Sequence, residues 1–280
     1  MKRSLTFCKW ALVPALAAVL AVPAESQAPA PAPAPTYADL ADLALAAPVA
    51  AQVRVAQSVA VKPERAQGLR PGFTRFFVQA DLVSLIRSPQ TLPTRLAWLV
   101  DLPHDAKGKA ARPRKGSEYL LLAAPVAGRP GELRLVAPDA QIPATAERAA
   151  TLRLIVREAS SASPPPRIAG IGRAFHVPGA IRGESETQIF LLTAGGTPVS
   201  LTVLRRPGQT PAWAVALSEI VDEAAEPPAP GTLLWYRLAC GLPRTLPSQS
   251  LAEAGDDRAA IEADYRLVLE RLGPCGRTRR

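Results

Sequence analysis

Two histidines and three cysteines bound the chemistry that the side chains of this 280-residue chain can support. His104 lies in LPHDAKG beside Asp105, and His176 lies in AFHVPG. Neither has a second ligand at the i+2, i+3 or i+4 spacing that zinc sites use. A His next to an Asp in sequence is not a catalytic pair, because that relation is spatial. His104 therefore reads as a solvated loop residue. His176, between the apolar Phe175 and Val177, reads as a histidine with satisfied bonds at a strand end. Glu184 and Glu186 flank Ser185 in the turn RGESET. Two carboxylates this close could divide acid and base roles, but on a turn entering a strand they are expected to face solvent. No G-x-S-x-G and no glycine-rich phosphate loop occurs. The sequence nominates no catalytic residue, no metal ligand and no cofactor.

The cysteines point to structure rather than catalysis. Residues 1–24 read as a secretory signal: Lys2, Arg3 and Lys9 supply the basic end, residues 10–22 are apolar, and Val22-Pro23-Ala24 offers a cleavage site. The apolar run is too short to span a bilayer. Its removal takes Cys8 with it and leaves Cys240 and Cys275, which in an oxidising compartment read as one disulfide.

Charge supplies the remaining chemistry. The formal net charge is +9, and loss of Lys2, Arg3 and Lys9 leaves +6. A basic stretch after a Trp-containing strand carries Lys107, Lys109, Arg112, Arg114 and Lys115. A corresponding stretch later in the chain carries Asp222, Glu223 and Glu226. Such clusters suit an anionic lipid, an acidic polymer or an acidic protein, or each other in self-association. Nucleic acid is not expected outside the cytoplasm.

Strands and turns must position these groups. Thirty prolines argue against a mostly helical chain. Alternating or continuous apolar patterns predict strands over residues 52–61, 74–86 (one long strand, or two separated near Asp81), 95–102 and 118–126, with a short edge strand at 132–137. Residues 95–102 are apolar enough to be buried on both faces. A helix is predicted at 145–159. After the linker SSASPPP at 160–166, strands are predicted at 168–177, 187–193, 199–205, 212–221 and 232–240, and a helix at 256–272. Ala194-Gly195-Gly196 signals a hairpin. Thr36 is placed to cap a short helix ending near Ala46.

The same order recurs. TRFFVQA at residue 74 matches TQIFLLTA at 187, Val83-Ser84-Leu85 matches Val199-Ser200-Leu201, and AWLVDL at 97 matches AWAVAL at 212. The expected fold class is β-rich α+β: two tandem related domains, each an antiparallel sheet of about five strands, a sandwich or a partly open barrel, with one C-terminal helix. The expected boundaries are 1–24 for the signal peptide, 25–50 for an Ala/Pro-rich spacer and short helix, 51–163 for the first unit and 164–280 for the second. Function is expected to be binding or scaffolding in the bacterial envelope, in the periplasm. The rival expectation is an envelope hydrolase with a site between the units.

Overall fold

The computed structural model describes residues 34–217 and 226–279. Residues 1–24, expected to be a signal, and most of the Pro-rich stretch lie outside them. The described residues are β-rich, with a closed five-strand barrel, a separate four-strand antiparallel sheet and four α-helices among them. Ahead of the barrel, α1 (Tyr37–Ala46) starts at the expected Thr36 cap, whose side chain accepts from Asp39 N while Asp39 accepts from Thr36 N. This reciprocal pairing satisfies two of the backbone donors that a helix start leaves unpaired. At the other end, Arg87 donates to the carbonyls of Ala44 and Ala47.

Five strands form the barrel: β1 (Val49–Ala60), β2 (Phe73–Arg87), β3 (Arg95–Pro103), β4 (Glu118–Pro125) and β5 (Glu132–Leu135). Their order is β1-β2-β3-β5-β4, closed by a β1–β4 pairing over Val49–Arg54. Three register shifts along β1 let it bend, so that one strand serves both β2 and β4. Strand order alone assigns no function. The interior holds Val49, Ala51, Val53 and Val55 of β1, Phe76, Val78 and Ala80 of β2, and Trp98 and Val100 of β3. The alternation is the two-residue period of a strand with one buried face.

Residues 132–137 were expected at an edge. Instead β5 closes the barrel, pairing parallel with β3 through Ala97↔Glu132 and Trp98↔Leu133. Gly131 makes this possible: its φ is +82°, and a Cβ there would lie 2.8 Å from Pro93 and 3.0 Å from the Arg95 carbonyl. Residues 95–102 were expected to be buried on both faces, yet Leu99 is 50% exposed on the outside of the barrel. A three-residue strand β6 (Gln141–Pro143) hangs on β4, and Gln141 accepts from Trp98 Nε1 at 2.7 Å. The helix α2 (Ala146–Ala159) follows, capped by Thr145, and packs with α1 against Ala50, Leu120 and Leu122 on the outer wall of the barrel.

The second sheet is a meander of β7 (Ile168–Pro178), β8 (Ser185–Thr193), β9 (Val199–Arg205) and β10 (Ala212–Ala216), with the expected Gly-Gly hairpin between β8 and β9. Its inner face, with Ile171, Ile189, Leu201, Val203 and Trp213, is covered by Ile261, Tyr265, Val268 and Leu272 of α4 (Arg258–Leu272).

Residues 232–240 were expected to close this sheet as a strand. They form the helix α3 (Leu233–Ala239) instead, with Thr232 accepting from Trp235 N. A short continuous apolar run has no period that separates strand from helix. This helix is mostly apolar because it is buried on more than one side, with Arg237 as its charged residue. Leu233 and Tyr236 face the α1–α2 core, Leu238 faces the second sheet, and Trp235 touches both.

The tandem architecture is not repeated in space. Residues 74–80 and 83–85 share the single strand β2, whereas the stretches matched to them fall on two strands, β8 and β9. A strand at 118–125 corresponds to a helix at 233–239, and a closed barrel to an open meander. Likeness persists only locally: Trp98 stands opposite Val78, as Trp213 stands opposite Val203.

Candidate functional site

The basic stretch lies between β3 and β4, where the barrel seam opens. Beyond Arg54, β1 no longer pairs with β4. The loop fills the seam: Val55 N donates to Ser117 O and Gly116 N donates to Val55 O. Arg112 donates to the carbonyl of Ser58. The result is an open groove of about 690 Å³ between Ala56, Gln57 and Ser58 on one side and residues 110–115 on the other.

The five expected basic residues divide into two groups. Arg112, Arg114 and Lys115 line the groove. Lys107 and Lys109 sit on the exposed tip, where Asp105 Oδ1 accepts from both of their backbone amides at 2.9 and 3.0 Å. Asp105 thus shapes the turn rather than neutralising the ammonium groups. His104 anchors the loop base, with Nε2 2.9 Å from Thr74 Oγ1. Among the described residues no carboxylate forms an ion pair with any of the five, while nine other cations of the chain are paired, such as Arg75 with Asp101 and Arg95 with Asp81. Of the acidic stretch, Asp222 and Glu223 lie outside the described residues. Glu226 is exposed and forms no ion pair among them.

Glu184, Ser185 and Glu186 were expected to face solvent. They are half-buried and line a 460 Å³ depression on the outer face of the second sheet, with Phe175, Val177, Gln188 and Leu204. Glu186 accepts from Gln188 Nε2 at 2.7 Å.

His176 belongs to a network that its neighbours in sequence do not disclose. The carboxylate of Asp264, 1% exposed, accepts from Thr187 Oγ1 at 2.5 Å and from Arg205 Nε at 2.7 Å. A hydroxyl has one proton to give. With that proton committed to Asp264, Thr187 Oγ1 accepts from His176 Nδ1 at 2.8 Å. Among the described residues His176 Nε2 has no hydrogen-bond partner. The network ties α4 to three strands. The readable trace was Asp264 itself, one step from Tyr265 on the apolar stripe that begins at Ile261, where a carboxylate must be paired to be buried.

Cys240 and Cys275 lie at disulfide distance, with Sγ–Sγ 2.09 Å. The pair joins the end of α3, not of a strand, to the tail after α4. That tail had no assigned role in the sequence, yet it is tightly held. Thr278 N and Arg279 N donate to Asp39 Oδ1 at 2.9 and 3.0 Å, Thr278 Oγ1 donates to Asp39 Oδ2 at 2.7 Å, and Arg279 pairs with Asp139 at 2.6 Å.

No protein-family model matches the chain, and no curated protein matches it significantly. Among the described residues no group of three His, Cys, Asp or Glu side chains is arranged to hold a metal ion. No described helix is long and apolar enough to cross a membrane.

Proposed function

We propose that this chain is an exported, periplasmic envelope protein that binds an anionic component without transforming it, and that the β3–β4 loop is the contact. One observation carries the reading: Arg112, Arg114 and Lys115 line a groove while Lys107 and Lys109 crown it, and none is neutralised by a described carboxylate. Unpaired positive charge around a concavity draws in anions and raises their rate of encounter. Export rests on the signal-like residues 1–24 and is compatible with the Cys240–Cys275 pair.

The partner is an anionic envelope surface or an acidic envelope protein. Self-association through Asp222, Glu223 and Glu226 is the form the same electrostatics would take between two copies. The rival, a hydrolase, has the Asp264–Thr187–His176 chain as its one support. Against it, no described nucleophile bonds to His176 Nε2, and a Ser–His type mechanism needs that bond.

Co-sedimentation with vesicles of phosphatidylglycerol or phosphatidylcholine tests the proposal. The informative variant replaces Lys107, Lys109, Arg114 and Lys115 by Gln and keeps Arg112, which holds the loop to Ser58. Binding to the anionic vesicles is expected to fall at least about tenfold, at about 1 kcal/mol per basic residue near an anionic surface. Unchanged binding together with an unchanged oligomeric state would overturn the proposal.

A further inference from the structure

A second basic concavity lies about the disulfide. Its volume is about 530 Å³, and Asp42, Leu45 and Ala46 of α1 form one wall. Arg167 and Ile168 at the start of β7, Tyr236, Arg237 and Gly241 about the end of α3, and Arg277 of the tail complete it. Gly241 permits the close packing: a Cβ there would stand 2.4 Å from the Arg237 carbonyl and 3.2 Å from Ile168 Cβ.

The charges around this cavity do not balance. Arg277 is spoken for, with Nε 2.6 Å from Asp42 Oδ2, and Tyr236 donates to Asp42 Oδ1 at 2.5 Å. Asp42 is therefore consumed by one arginine, and Arg167 and Arg237 remain. Among the described residues neither donates a side-chain hydrogen bond or joins an ion pair. Arg237 Nε is buried with no acceptor at all. Burial pushes the Arg237 guanidinium below its ordinary value; Tyr236 opposes this, and the charge of Arg167 adds to it more weakly. A buried guanidinium N–H without an acceptor is costly and uncommon in folded proteins. Two adjacent like charges add to that cost.

We propose that this cavity binds a phosphate monoester, with Arg167 and Arg237 as the groups that take the phosphate and Tyr236 and Arg277 bordering it. The charge fits: a monoester carries about −1.5 to −2 at neutral pH, against the two uncompensated arginines. The acceptor count fits too, since three phosphate oxygens can serve two planar guanidinium forks where a single carboxylate offers two oxygens. The remaining volume, bordered by Leu45, Ala46 and Ile168, has room for the esterified group.

The test is isothermal titration of the full oxidised protein with inorganic phosphate, glycerol 3-phosphate and acetate, with vesicles carrying phosphatidate as a membrane-borne monoester. Wild-type protein is expected to bind a phosphate probe more tightly than acetate. Binding should weaken about tenfold or more in Arg237→Gln and in Arg167→Gln. Arg167 is exposed, so its variant keeps the fold even where the Arg237 variant does not, and thermal melting monitors both. Loss confined to the soluble ester or to the vesicles assigns the source, and either supports the site. The variant of Lys107, Lys109, Arg114 and Lys115 should bind phosphate as the wild type does, which separates this proposal from that of the β3–β4 groove. Absence of phosphate binding by the wild type, or binding indifferent to both arginine variants, would overturn it.

Discussion

Asp39 and Asp264 are the two carboxylates buried among the described residues, and every oxygen of both accepts at least one hydrogen bond. For Asp39, burial alone would raise the pKa. Hydrogen bonds from the Thr278 hydroxyl and from the backbone of Thr36, Arg279 and Thr278 outweigh it and hold the carboxyl well below the ordinary range. A depressed folded-state value stabilises the fold above the unfolded pKa of about 3.9 and loses that stabilisation as pH falls through the folded value. Urea titrations should therefore show wild-type stability declining below about pH 4. Asp39→Asn should start about 2 kcal/mol lower at neutral pH, having lost the charged acceptor of several bonds, and should show a flatter acid slope. Equal slopes for the two proteins would place the acid sensitivity elsewhere. The local half of this site was readable in the sequence, since Thr36 and Asp39 have capping spacing. The distant half was not: nothing in GRTR indicates that Thr278 and Arg279 return to Asp39, because that contact spans the whole fold.

At the scale of elements, what was readable followed from period and punctuation. The alternating Val53, Val55 and Val59 place β1, Gly195-Gly196 places the β8–β9 hairpin, and Ile261, Tyr265, Val268 and Leu272 place α4. Two elements escaped for physical reasons. The run LLWYRLA is mostly apolar and too short to show a period; it became α3 because Thr232 caps it and two cores meet on it. β5 looked like an edge because four residues carry little pattern, and its parallel pairing with β3 is a long-range event. Gly131 controls that pairing. Gly131→Ala is expected to cost about 2 kcal/mol or more, from the positive φ together with the overlap on Pro93, and to speed amide exchange at Ala97, which donates to Gly131 O. The disulfide acts on another pair of elements, α3 and the tail. Replacing Cys240 and Cys275 by Ser should lower unfolding free energy by about 3–4 kcal/mol in urea, for a loop that closes over a separation of 35 residues. A loss under about 1 kcal/mol would mean that the Asp39, Asp42 and Asp139 contacts hold the tail unaided.

For the whole molecule, charge was legible from the sequence and its arrangement was not. The excess of arginine and lysine gave an anionic partner as the expectation. Only the fold shows which cations are neutralised by carboxylates, and which of the others gather about a concavity, as those of the β3–β4 loop and Arg167 with Arg237 do. Similarity between residues 74–102 and 187–217 suggested a repeated domain, but β-strand composition recurs wherever strands are half-buried, and the topologies of barrel and meander differ. The outer face of the meander also leaves Phe175, Val177, Phe190, Leu192 and Leu204 exposed, a property that no residue pattern taken strand by strand would have shown. The account of function stands on unneutralised charge at the seam of the barrel, and charge has a signature that shape does not. The direct measurement is the affinity of the protein for phosphatidylglycerol vesicles as ionic strength is raised, for wild type and for the variant of Lys107, Lys109, Arg114 and Lys115. A wild-type affinity that falls steeply with salt, and a variant that is weak and nearly flat, is the predicted result. Parallel salt dependences for the two proteins would contradict it.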